Sequence, residues 1–179
     1  MGLRPVLLTD GSLSYIVYLS DRVYILMISQ KTRYALKALV LLAKDEKAKK
    51  SPVLISSLAR RGNMPQKFLE AILLELKHHG VLESKKGKGG GYSLAKPAEE
   101  ILFGDVVRYF DGPLALIPCV SQTLNHKCKE CTDEETTGIR ILFKEVRDAT
   151  AQILDSTSLA KVCLVQEKVA QQKQPMYFI

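Results

Sequence analysis

Between Ser29 and Gly80, apolar residues recur three and four positions apart, and turn-forming residues break the pattern into segments. The set Tyr34, Leu36, Leu39, Val40 and Ala43 predicts a helix starting at Gln30, capped by Ser29 and ending in the lysine-rich loop Lys44 to Lys50. A shorter segment, Val53 to Arg61, is expected to turn Leu54, Ile55, Leu58 and Ala59 inward. It stops at Gly62-Asn63, residues that tolerate the left-handed backbone of a tight turn. Pro65 suits the first turn of the next helix, because its missing N–H leaves no bond unmade there. That helix runs through Phe68, Leu69, Ile72, Leu73 and Leu76 to Gly80, with Gln66, Lys67, Glu70, Lys77 and His78 on its outer face.

The period then shortens. Val81 to Ser84 and Gly91 to Leu94 read as two strands of a hairpin whose tip carries Lys85, Lys86 and Lys88 among glycines. Ile101 to Phe110 predicts a further short helix, closed by Asp111-Gly112-Pro113. From Glu134 onward, Ile139, Leu142, Val146, Ala149 and Ile153 alternate steps of three and four, the seam of a helix that pairs with another helix. The same seam would also serve a helix packed on its own domain. The last stretch, Lys161 to Ile179, is a polar Gln/Lys tract expected to fray.

These elements define a mainly α fold with a small β-hairpin: a winged helix-turn-helix domain followed by a long C-terminal dimerisation helix. The expected divisions are an N-terminal extension at 1–26, the winged domain at 27–110, a cysteine-containing loop at 111–133, the dimerisation helix at 134–160 and a tail at 161–179. Ser14 to Met27 is fairly apolar, but Asp21 and Arg22 interrupt it and only Arg4 precedes it as a positive flank, which argues against a secretory signal. The helical pattern begins directly after Met27, the expected functional start.

Charge sharpens this picture. Residues 27–100 hold 15 Lys/Arg against 7 Asp/Glu, whereas residues 101–179 hold 9 against 10, so the positive excess sits with the helix-turn-helix and hairpin. A basic surface attracts a phosphate backbone of any sequence, and the two helices plus a lysine-bearing finger match the shape that reads duplex DNA. Lysine at a glycine-hinged tip suits the negative potential of a narrow minor groove. The competing idea of a nucleotide cradle fails, because Gly87 to Gly91 lacks the P-loop spacing and a following Lys-Ser/Thr pair; a merely flexible hairpin stays open. No nucleophile–base or carboxylate pair stands out, so an enzyme is not expected. With 46% hydrophobic and 25% charged residues and no uncharged apolar run long enough to span a bilayer, a cytoplasmic protein without membrane contact is expected. Cys119, Cys128 and Cys131 cluster while Cys163 stands apart as a structural residue, which points to metal or redox chemistry more than to a disulfide framework.

Three stretches carry a family likeness: S-Q-K-T-R-Y-A-L-K-A-L-V-L-L-A from Ser29 to Ala43, Phe68-Leu69-Glu70, and above all G-K-G-G-G-Y from Gly87 to Tyr92. Through them, residues 27–160 resemble the Rrf-two regulators, bacterial winged-helix transcription factors that include iron–sulfur, nitric-oxide and cysteine-metabolism regulators. The resemblance implies a homodimer, most often a repressor, on a palindromic operator in double-stranded DNA. The helix from Pro65 would lie in the major groove and the wing in the minor groove.

By position, the DNA-contacting residues would be Gln66, Lys67, Phe68, Glu70, Lys85, Lys86, Lys88 and Tyr92, with Lys86 standing where the family often has a wing arginine. Lysine there keeps the charge but loses the planar fork. Family members that sense iron, oxidants or nitric oxide hold an iron–sulfur cluster, [2Fe-2S] or [4Fe-4S], through three loop cysteines, thiolates being soft, negatively charged donors. Cys119 and Cys131 match the first two, but Thr136 and Thr137 stand near the place of the third, and Cys128 supplies a local Cys-x-x-Cys instead. A cluster on Cys119, Cys128 and Cys131, a zinc site that adds His126, and a cluster-free thiol regulator or an adaptor acting through a protein partner remain as alternatives.

Overall fold

The computed structural model describes residues 5–8, 15–18, 28–122 and 134–172. Near the N-terminus, β1 (Pro5–Leu8) and β2 (Tyr15–Tyr18) pair antiparallel, a hairpin that the apolar run around Ser14 did not announce as strands.

Helix α1 (Gln30–Lys47) is the centre of the fold. Ser29 caps it as expected: its hydroxyl accepts the Thr32 N–H at 3.1 Å, satisfying a donor that the first turn leaves free. Its buried face, Ala35, Ala38, Leu39 and Leu42, meets α2 (Ile55–Gly62), α3 (Gln66–His78), α4 (Phe103–Asp111) and α6 (Leu159–Gln172). Pro65 caps α3 from outside rather than occupying its first turn, and Asn63 takes the left-handed conformation at φ 46° that ends α2. Leu54, expected inward, caps α2 and is exposed; Leu58 and Ala59 alone of that set are buried, with Ile55 partly covered.

The wing strands are β3 (Leu82–Lys85) and β4 (Gly91–Leu94), one residue later at β3 than the pattern predicts. Leu82 pairs with Leu94 and Lys85 with Gly91. Val53, read from sequence as the start of a helix, instead forms a bridge beside β4: its N–H donates to the Tyr92 carbonyl and its carbonyl accepts the Tyr92 N–H, both at 2.9 Å. Gly91 sits so close to this bridge, at φ +152°, that a Cβ there would collide with the Val53 carbonyl.

The largest departure lies at the C-terminal end. The expected single helix 134–160 gives way to α5 (Glu134–Asp155), a corner, and α6, so that of the tail expected to fray Lys161 to Gln172 is helical, while residues 173–179 lie outside the described residues. Hydroxyls make the break: Thr157 Oγ1 donates back to the Ile153 carbonyl at 2.7 Å and Ser156 Oγ to the same oxygen at 3.2 Å. The corner is stitched to the segment before α4, with Phe103 N–H on the Thr157 carbonyl at 3.0 Å and Leu159 N–H on the Ile101 carbonyl at 2.8 Å. Leu159 is fully buried in the same core as α1, so α6 packs with the winged helix into one unit, the head.

Candidate nucleic-acid interface and cysteine turn

Helix α3 divides cleanly. Leu69, Ile72, Leu73 and Leu76 are fully buried, and Gln66, Lys67, Phe68 and Glu70 are all exposed on the opposite side. Phe68 leaves 40% of its surface in solvent, its ring held edge-on to Tyr34 with centroids 5.8 Å apart. An exposed ring on such a helix offers an apolar contact of the kind that distinguishes a thymine methyl. The far end of α3 is tied to the wing, Lys77 Nζ donating to Ser84 Oγ at 2.7 Å.

At the wing tip Lys85, Lys86 and Lys88 are exposed, around a turn closed by Gly90 N–H on the Gly87 carbonyl at 2.9 Å. Tyr92 differs from these: it is half-buried against the core, and its backbone carries the Val53 bridge. Its place is at the wing's base, with the lysines at the tip.

Not every cation of the head is free to meet phosphate. Lys31 donates to Glu75 Oε2 at 2.5 Å and lies 5.1 Å from the Phe110 ring centre, locking α1 to α3 and α4. Arg61 pairs at 2.5 Å with Asp45, a carboxylate only 6% exposed. Arg33 and Arg60, by contrast, are exposed on α1 and α2. Reading by motif passed over both; their positions off the apolar stripe are the signal that finds them.

Cys119 sits in a 3-10 turn, Pro118–Val120, half-buried and packed beside α5. Cys128, Cys131 and His126 lie outside the described residues. At the start of α5, Thr137 is half-buried. Among the described residues no three His, Cys, Asp or Glu side chains gather as metal ligands. The chemistry of the donor set still fits a soft metal group, since Cys119 is presented on a fixed turn with two further thiols following within twelve positions of it. Cys163 is on α6, away from this turn, at the edge of a cleft of about 670 Å³ between the end of α1, the segment after β4 and α6. Burial pushes its thiol up, against the opposing pull of Lys44.

Helix α5 has two faces. Phe143, Arg147, Ala151 and Leu154 are partly covered by the chain's own head, whereas Ile139, Leu142, Val146, Ala149 and Ile153 are exposed, Ile153 at 65%. Its C-terminal end is clamped to α4 by Arg108, whose two Nη atoms donate to Asp155 at 2.7 and 2.8 Å. That fork holds the Asp155 carboxyl below the usual aspartate range. No described helix is long and apolar enough to cross a membrane.

Known proteins share this arrangement. Residues 28–164 match the Rrf2 family model, described as an iron-dependent transcriptional regulator. The rrf2-like HTH-type transcriptional regulator of Rhodobacter capsulatus is 43% identical over 135 residues, covering 74% of this chain and 89% of its own. The HTH-type transcriptional regulator CymR of Bacillus subtilis is 32% identical over 132 residues, covering 74% and 86%. Among solved structures, CymR, the global cysteine regulator of B. subtilis, superimposes with a TM-score of 0.66 at 29% identity over 79% of this chain and 98% of that one. T. potens IscR does so with 0.62 at 25% identity, over 85% and 96%. A family match spanning most of the chain, joined to a winged helix whose α3 face and lysine tip are both exposed, leads to one conclusion: this chain belongs to the Rrf2 family of DNA-binding transcriptional regulators.

Proposed function

We propose that this protein is a homodimeric, non-enzymatic repressor of the cytoplasm that reads a palindromic operator and whose DNA affinity follows the chemical state of its cysteine loop. The observation that carries the dimer is the exposed seam of α5: Ile139, Leu142, Val146 and Ile153 are each at least 38% exposed in a single chain. A helix packed on its own domain would have covered them. A second copy of the same seam does so by isologous pairing. In each half-site α3 enters the major groove with Gln66, Lys67, Phe68 and Glu70, while Lys85, Lys86 and Lys88 meet phosphate and the minor groove beside it.

For the cysteine loop, Cys119, Cys128 and Cys131 would hold an iron–sulfur cluster, with His126 joining them if the metal is zinc. The bound group would supply a charge and a covalent cross-brace that oxidation or loss removes. The family description as iron-dependent supports the first form. A cluster-free thiol form is favoured by the threonines at positions 136 and 137 and by a similar structure, Staphylococcus aureus CymR, solved in an oxidised form.

The test is anaerobic purification followed by metal analysis and duplex binding. A coloured, iron-containing dimer that binds a palindrome selected from a random pool, with an affinity that changes on oxidation, supports the reading. Colourless, metal-free protein with thiol-dependent binding supports the cluster-free form. A monomer without sequence-selective binding overturns both.

A further inference from the structure

Arg147 lies on the covered face of α5, its side chain only 12% exposed. Its Nη1 donates to the carbonyl of Val120, the residue directly after Cys119 in the 3-10 turn. Nε and Nη2 are both held on Asp148 Oδ1, at 2.8 and 2.5 Å, which fixes the plane of the guanidinium. Val120 itself is buried, so its carbonyl has little access to water. One side chain thus joins the turn that carries Cys119 to the middle of the helix whose other face is the apolar seam. One turn before and after, Phe143 and Ala151 complete the same half-covered stripe.

We infer that Arg147 is the positioning residue through which the state of the Cys119 turn is passed to α5. The inference rests on the proposed reading of the cysteine loop as the sensing element. The physical reasoning is local. Any change of charge or ligation at Cys119 displaces the adjoining peptide, and the Val120 carbonyl can keep its charge-assisted donor only if α5 moves with it. Helix α5 is stiff and ends at the Arg108–Asp155 clamp on the reading head, so a displacement at position 147 arrives at the head as a tilt. Arg147 lies on the covered face of α5, apart from the exposed face of α3, the wing tip and the seam. Its loss should therefore remove the communication while leaving both binding surfaces intact.

The experiment uses the full chain and two readouts. First, in metal-free reduced protein, the alkylation rate of Cys119 by a maleimide is followed by peptide mass spectrometry. Arg147→Met keeps the aliphatic stem but deletes the donors, so Cys119 should react several-fold faster, and Arg147→Lys should fall between the two. Second, the ratio of affinities for a duplex selected by the wild-type protein is measured between thiol-reduced protein and protein reconstituted with iron and sulfide. A wild-type ratio of about tenfold should collapse toward one in Arg147→Met, with dimer content and metal per subunit unchanged.

Asp148→Ala, which frees the guanidinium without deleting it, should lower the ratio partway and serves if Arg147→Met folds poorly. Unchanged Cys119 reactivity together with a wild-type ratio in Arg147→Met overturns the inference alone. A wild-type ratio of one both for iron-reconstituted and for thiol-oxidised protein, each against the reduced form, overturns the sensing reading and this inference with it.

Discussion

Helices α3 and α5 carry similar apolar spacing, yet one is filled by its own chain and the other is not. In α3 the stripe Leu69, Ile72, Leu73 and Leu76 is fully buried against α1 and its neighbours. In α5 the stripe Ile139, Leu142, Val146 and Ile153 faces solvent. The difference lies in what the chain places opposite. Short connections on either side of α3 fold neighbours over it, whereas among the described residues α5 reaches back to the head through its other face, through Arg147 and through the Arg108 clamp. Helical periodicity therefore identifies a face that needs a partner, and topology decides whether that partner is supplied by the same molecule.

Substitutions that target one stripe and spare the other give the sharpest break of this comparison. Leu142→Asp combined with Val146→Asp should abolish the proposed dimer at micromolar concentration in sedimentation velocity, since burying two unpaired carboxylates per subunit would cost more than about 4 kcal/mol. The melting of the head should hardly change. The opposite pattern follows from Leu73→Ala, which empties a fully buried site. Chemical denaturation should find it less stable by about 3 kcal/mol, with the dimer interface untouched. If Leu142→Ala instead costs a dilute monomer as much as Leu73→Ala does, the two stripes are not different in kind.

Smaller effects sharpen the contrast between head and arm. Lys86→Ala removes an exposed wing-tip charge. It should weaken duplex binding by about 1 kcal/mol and lower the slope of log affinity against log salt by about one unit for each phosphate left without its cation. The smallest effect concerns the clamp. Because the Arg108 fork holds Asp155 below the ordinary aspartate value, the clamp contributes in full above that value and is lost as the pH falls through and below it. Stability of the wild type should exceed that of Asp155→Asn by less than about 1 kcal/mol near neutrality, a partly exposed pair being screened by water, and the two should converge in acid once the lowered Asp155 carboxyl is protonated.

Local signals carried most of the head into the sequence. Ser29 announces a cap, Gly62-Asn63 a left-handed turn, and the glycines around Lys88 a hairpin, because each depends on conformational preferences of a few adjacent residues. What stayed hidden depends on distant chain. Val53 reads as a helix residue until Tyr92 is known to lie beside it, and Leu54 reads as core until α2 is seen to begin one residue later. The apolar residues Leu159, Val162 and Cys163 have helical spacing, but a polar tail follows them, and only packing against α1 reveals that they belong to the core. For the cysteine turn, the sequence shows that Cys119, Cys128 and Cys131 cluster, and Cys128 and Cys131 lie outside the described residues. The tie from Arg147 to Val120 is not legible there, since a guanidinium meeting a backbone carbonyl 27 residues away leaves no pattern in either segment.

The stitched corner between α5 and α6 bears on what DNA this protein tolerates. Backbone bonds at Phe103, Leu159 and Ala160 fasten the end of α5 to the winged helix at several points, limiting relative motion of seam and α3 to small tilts. In the proposed dimer, two heads joined through such helices would keep a nearly fixed angular phase about the double helix. Adding about five base pairs, half a helical repeat, between the two arms of a palindrome would turn one of them to the far side of the duplex, where a rigid pair has no reach.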